Sequence, residues 1–206
     1  MRLVCFGDSW TAGHGVESDI SYKETATAPS FIQKLREQNS WPRWVAEKLG
    51  CPFINNGVCG YGNQYIHNDL VDSIKKGFIL DTDIIIIMFS YPYRYVKDTN
   101  DIVKLFWEIE EELKPYKHFY FNSFFPTFKE EDFDTSNLPN TFINPQGCVS
   151  DVLKEYELKN NISVWEYDSR SVWNDNQKFW EGDYHPNLLG YKIIGEYIYN
   201  NIIDKI

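Results

Sequence analysis

Apolar residues fall in two rhythms along this chain. Short unbroken runs have strand length: Leu3 to Phe6, Pro52 to Asn55, Asp83 to Phe89, Phe119 to Asn122 and Ser163 to Tyr167. The third is apolar and β-branched from Ile84 onward, as suits a central parallel strand buried on both faces. Between the runs the spacing becomes helical. Ile66, Leu70 and Ile74 recur every four residues within Asn63 to Lys76, and Gly77 stops that helix. Ser40-Trp41-Pro42 combines a serine cap with a first-turn proline, predicting a helix to Leu49 that Gly50 ends. Thr99 caps a predicted helix to about Leu113, before Pro115, and Gln146 to Lys159 reads as another. Ile193, Ile194, Tyr197, Ile198 and Ile202 mark a closing helix.

Five strands alternating with helices predict a single domain over residues 1–206. The expected fold is a three-layer α/β/α arrangement, flavodoxin-like, around a mostly parallel five-stranded sheet. Two stretches stand outside the alternation. Val16 to Asn39 is a polar insertion with a short helix around Phe31 to Arg36, and residues 126–145 form an aperiodic loop long enough to cover a site.

In such sheets ligands bind beyond the carboxyl ends of the strands. Polar turns fall there at Gly7 to Gly15, Asn55 to Asn63 and Ser90 to Arg94, and the Asp183 to His185 turn is expected to join them. Ser9 leaves the first strand, while Asp183-Tyr184-His185 enters the last helix. A serine hydroxyl is a poor nucleophile until a base lies within hydrogen-bond reach, and an aspartate–histidine pair supplies one. Taken alone, Gly7-Asp8-Ser9 is also an ordinary helix cap after a strand.

Charge and composition narrow the classes of function. The net charge is −10 with no basic block, which disfavours nucleic acid as a partner. Aromatic residues make up 17%, enough to line a sugar-binding groove as well as a core. Cys5, Cys51, Cys59 and Cys148 lack CxxC spacing and read as reduced thiols, Cys5 and Cys51 within strands, with a Cys59–Cys148 disulfide as the alternative. The first residues enter a strand at once and no apolar run reaches spanning length. The expectation is therefore no signal peptide, no membrane partner and a cytoplasmic protein, or a component of a virion assembled there. His14, His67 and His118 show no metal-ligand spacing with Asp183-x-His185, so neither metal nor organic cofactor is expected. Gly57 to Gly62 lacks the dinucleotide-binding glycine order, and Glu108, Glu110, Glu111 and Glu112 read as a solvated helix face.

The ordered blocks resemble the SGNH, or GDSL-type, serine hydrolases. Gly7-Asp8-Ser9 resembles the family's first block, Asn55-Asn56-Gly57-Val58-Cys59-Gly60 its second, and Asp183-Tyr184-His185-Pro186-Asn187 with Gly190-Tyr191 its fifth. The resemblance implies Ser9 as nucleophile, His185 as base, Asp183 as its orienting acid, and backbone N–H groups of Ser9 and Gly60 as oxyanion donors. The acid departs from the usual spacing: Gly182 stands three before His185, so the role passes to Asp183, with Glu181 as fallback. The third block departs further. Pro92 stands where the family has a donating asparagine, and proline has no donor at all. Arg94 is the first candidate substitute, then Asn63 or Ser90. The implied activity is hydrolysis of a small or carbohydrate-borne ester, such as an O-acetyl group. Acyl transfer by the same triad and a catalytically weakened carbohydrate-binding or structural module are the alternatives.

Overall fold

The computed structural model describes residues 1–16, 29–92, 94–95, 98–124, 138–145, 147–164 and 185–206. In chain order the elements are β1 (Leu3–Gly7), α1 (Ser9–Ala12), α2 (Pro29–Asn39), α3 (Trp41–Leu49), β2 (Phe53–Gly57) and α4 (Asn63–Lys75). Then come β3 (Ile84–Phe89), α5 (Thr99–Leu113), β4 (Lys117–Asn122), α6 (Val149–Asn160) and α7 (Leu188–Ile202).

The strands pair in parallel in the order β2-β1-β3-β4. Side chains alternate across the sheet, and that alternation builds two cores. Leu3, Cys5, Ile84, Ile86, Met88, Phe119 and Phe121 face one way, against Trp41 and Val45 of α3, Leu153 of α6 and Ile194 and Ile198 of α7. Val4, Phe6, Ile85, Ile87, Phe89 and Tyr120 face the other, against Ile66 and Leu70 of α4 and Ile102, Phe106 and Ile109 of α5. All six residues of β3 are buried, which is why that run carries no polar position. The fold is thus α/β with helices on both faces of a parallel sheet.

The sheet differs from expectation in its fifth strand. Among the described residues it has four strands. Ser163 and Val164 lie outside any strand, and 165–167 fall outside the described residues. Their carbonyls serve α7 instead: Asn187 donates its backbone N–H to Val164 O at 2.9 Å and its side-chain amide to Ser163 O at 3.2 Å. Of the predicted covering loop, 126–137 lie outside the described residues. The described stretch 138–145 runs beside β4, where Tyr120 N–H donates to Thr141 O and Ile143 N–H donates to Tyr120 O, both at 2.9 Å.

Smaller differences have local causes. Asp98, not Thr99, caps α5, accepting from Asn100 N–H at 2.7 Å. Helix α6 starts at Val149, three residues after Gln146, with Cys148 as its cap. Cys51 sits in the turn before β2, and all four cysteines are free thiols. Glu110 departs from the solvated face assigned to it. Its carboxylate accepts from Tyr120 OH at 2.7 Å and faces His118 Nε2 at 3.1 Å. Burial pushes Glu110 up, but the bonds to His118 and Tyr120 outweigh it and hold the carboxyl below its usual range. At the same end of the sheet, Arg2 Nη2 reaches Asp83 Oδ2 at 2.6 Å, and that carboxyl is likewise held low against the pull of burial.

Candidate active site

The strand order places a switch point between β1 and β3, whose chains leave in opposite directions across the sheet. Ser9 opens α1 directly beyond β1 and is buried. Asp8 is the cap that makes this sharp exit hold: its Oδ1 accepts Trp10 N–H at 3.0 Å. Its Oδ2 accepts the hydroxyl of Ser90, from the end of β3, at 2.7 Å. Burial raises the Asp8 carboxyl above its ordinary range, and the Ser90 and Trp10 bonds and the charge of Arg94 only temper the rise. The groups that favour the charged form of Asp8 are mainly neutral donors.

Ser90 is clamped a second time. Asn63, first residue of α4, accepts Ser90 N–H at 2.8 Å and donates to Ser90 O at 3.3 Å. Both atoms of the Asn63 amide thus bind the backbone of Ser90, and the Ser90 hydroxyl binds Asp8. Two of the candidate oxyanion donors hold each other and the Ser9 turn in place. Arg94 is the third: it donates through Nη1 to Tyr61 O at 3.2 Å and remains partly exposed. Pro92 is buried.

The second strand is fitted to α1 by the absence of a side chain. A Cβ at Gly57 would lie 2.2 Å from Ala12 N, so only glycine lets β2 approach this closely. Asn55 fixes the same contact, donating to Thr11 O at 2.8 Å and accepting Gly57 N–H at 2.9 Å. Gly60 follows on an exposed turn with φ of 84°, a left-handed conformation natural to glycine. Beside it stand Tyr61, Tyr65 and Tyr95, with ring centroids 5.4 Å and 5.5 Å apart along the series. Tyr95 adopts φ of 71° and donates its hydroxyl to Gly60 O at 3.4 Å.

His185 arrives from the other end of the chain. It is buried just ahead of α7, where Asn187 caps the helix by accepting Gly190 N–H at 2.9 Å. Tyr191, one turn into that helix, donates its hydroxyl to His14 O at 2.6 Å. The His14 ring lies against that of His185, centroids 4.2 Å apart and planes tilted by 34°. His14 N–H in turn donates to Ser9 O at 3.0 Å. The two chain ends therefore meet at one place on the carboxyl side of the sheet. Asp183 and Glu181 lie outside the described residues.

The sequence did not single out His14 for this place. It stands five residues after Ser9, beyond the left-handed Gly13 that ends α1, and that turn returns it over the serine. Its Nδ1 lies 3.7 Å from the sulfur of Cys59, to which Arg36 Nη1 donates at 3.8 Å. Among the described residues no group of three or more His, Cys, Asp or Glu side chains is arranged to hold a metal. No helix among them is long and apolar enough to cross a membrane.

No protein-family model matches the sequence, and no curated protein matches it. Solved structures do. A protein assigned to the lipolytic G-D-S-L family, from Desulfitobacterium hafniense DCB-2, aligns over 97% of this chain and 98% of its own, with 16% identity and a TM-score of 0.51. A lipase/acylhydrolase from Enterococcus faecalis aligns over 99% of this chain and 96% of its own, with 15% identity and a TM-score of 0.47. A G-D-S-L family member from Veillonella parvula DSM 2008 gives 17% identity and a TM-score of 0.44 over 99% and 97%. At such identity the likeness to the first is one of fold alone: the chain shares the α/β architecture of that G-D-S-L family protein.

Proposed function

We propose that this chain is a carboxylic ester hydrolase working through an acyl-serine intermediate. The observation that supports the reading is the meeting of the chain ends at His14, whose N–H binds Ser9 O and whose ring lies against the buried ring of His185. His185 removes the proton from Ser9 as Oγ bonds to the ester carbonyl carbon, and Asp183 orients the imidazole. The carbon–oxygen bond to the alcohol then breaks, and His185 returns the proton to the departing alkoxide. Water, deprotonated by the same imidazole, attacks the acyl carbon; the bond to Oγ breaks, His185 returns the proton to Ser9, and the acid leaves.

Backbone N–H groups of Ser9 and Gly60 are the proposed oxyanion donors. With the Asn63 amide bound to Ser90 and the Ser90 hydroxyl bound to Asp8, Arg94 is the group left to take the missing asparagine's part. One lost donor costs about 10²–10³ in turnover, so a slow enzyme is expected where Arg94 only partly compensates. The exposed rings of Tyr65 and Tyr95 beside Gly60 favour a carbohydrate-borne ester, an O-acetyl group being the simplest, because tyrosine pairs an apolar face with a polar tip. A glycan-binding module with weakened catalysis is the second reading. It is favoured by Pro92, which lacks any donor at the third block.

The test is hydrolysis of p-nitrophenyl acetate by the wild type and Ser9→Ala. The expected loss is about 10³-fold or more. Equal rates would remove Ser9 from the mechanism, and binding of neutral oligosaccharides without any turnover would establish the second reading.

A further inference from the structure

One residue touches all three parts of the proposed machinery, and none of the motifs includes it. His14 donates its backbone N–H to Ser9 O at 3.0 Å. Its ring packs on His185 at 4.2 Å between centroids. Its Nδ1 lies 3.7 Å from the sulfur of Cys59, the residue immediately before Gly60. Nucleophile turn, base and oxyanion turn thus converge on a single side chain and its peptide group.

The surroundings hold that side chain in place. Gly13 turns the chain through φ of 83°, and Tyr191 OH fixes the His14 carbonyl at 2.6 Å from the fully buried side of α7. Arg36 of α2 donates to the Cys59 sulfur at 3.8 Å, and the same sulfur stands 3.7 Å from His14 Nδ1. The ring of His14 is therefore pinned at its backbone and at its edge, with its face presented to His185.

We propose that His14 is a positioning residue: it holds the imidazole of His185 in the plane from which it can take the Ser9 proton, and ties that plane to the turn bearing Gly60. The proposal rests on the esterase reading for its kinetic consequence, but the ring contact itself does not. A flat ring at position 14 is what the stacking requires. The nitrogen edge supplies the link to Cys59. An imidazole displaced by as little as 1 Å loses proton-transfer geometry, at a cost of roughly 10²-fold in rate.

The experiment compares His14→Ala, His14→Phe and His14→Asn with the wild type. Turnover of p-nitrophenyl acetate is measured per serine titrated with a fluorophosphonate, and the ring-proton signals of His185 are followed by NMR. The expected result for His14→Ala is a fall in kcat of roughly 10–100-fold with KM little changed, and a His185 signal that loses its ring-current shift. His14→Phe is expected to restore most of kcat and to keep the signal shifted. Should the alanine variant not fold, His14→Asn takes its place, with loss expected for asparagine and retention for phenylalanine. Equal kcat for asparagine and phenylalanine, or a His185 signal indifferent to residue 14, would overturn the proposal. A Ser9→Ala variant as active as wild type would sink the esterase reading alone, and the His185 signals would still decide the contact.

Discussion

The two ends of the sheet treat buried acids in opposite ways. At the amino end, Asp83 pairs with Arg2, and Glu110 is bonded by His118 and Tyr120; both carboxyls are held below their usual range. At the carboxyl end, Asp8 leans mainly on a serine hydroxyl and a peptide N–H, and burial pushes its carboxyl up. The amino end contributes to stability by satisfying charge. The carboxyl end keeps an acid whose charged form burial disfavours, and the Asp8 cap and its bond to Ser90 fix the exit of β1 at Ser9. Local rules are broken where chemistry is proposed and kept where it is not, as expected when function is placed on an otherwise consistent fold.

Three substitutions test that contrast. The largest effect is expected from Gly57→Ala, whose new methyl would meet backbone 2.2 Å away at Ala12. Stability should drop by about 3 kcal/mol in urea unfolding, and activity should fall with it, because the displaced partner is α1 itself. A neutral result would mean that the two segments are not tightly docked. Glu110→Ala comes next. It strips the acceptor from the buried Tyr120 hydroxyl and from His118 at once, a loss of about 2–3 kcal/mol. kcat for the nitrophenyl ester should stay at the wild-type value, and a matching fall in kcat would erase the distinction between the two ends.

Asp8→Asn gives the smallest effect and the sharpest comparison. The folded protein binds the Asp8 proton more tightly than the unfolded chain does, since burial raises this carboxyl. Wild-type stability therefore declines as pH rises from the ordinary aspartate value, roughly 3.9, through the folded one. Asparagine keeps the cap to Trp10 and faces the Ser90 hydroxyl with its NH₂. The variant should exceed wild type at pH 7.5, with the margin shrinking toward pH 4. A margin independent of pH would show that Asp8 does not titrate differently on folding.

The order of elements was legible because hydrophobic rhythm reports burial. The β3 run, the four-residue spacing of α4 and the Gly50 and Gly77 stops all lie where the sequence set them, within a residue. Glu110 was misread because its neighbours Glu108, Glu111 and Glu112 dominate the local composition. Its position gives it away: it falls four after Phe106 and three before Leu113, on the buried stripe of α5. The bond pairing Asn63 with Ser90 spans 27 residues, and the contact between His14 and His185 spans the chain. No local pattern encodes such contacts. The motif blocks pointed to where His185 would arrive, but the ring awaiting it became visible only once Gly13 and Tyr191 had fixed the turn.

The stretch running beside β4 bears on how these molecules treat one another. Among the described residues the sheet has four strands and two margins, and a bare margin can recruit a strand from another copy. Here Thr141 and Ile143 occupy the hydrogen-bonding groups of Tyr120 on one margin, and on the other Asn55 takes the peptide proton of Gly57 with its own side chain. Each border is thus answered from within at one point, Tyr120 on β4 and Gly57 on β2, and a strand from a neighbouring copy would find its ladder interrupted there.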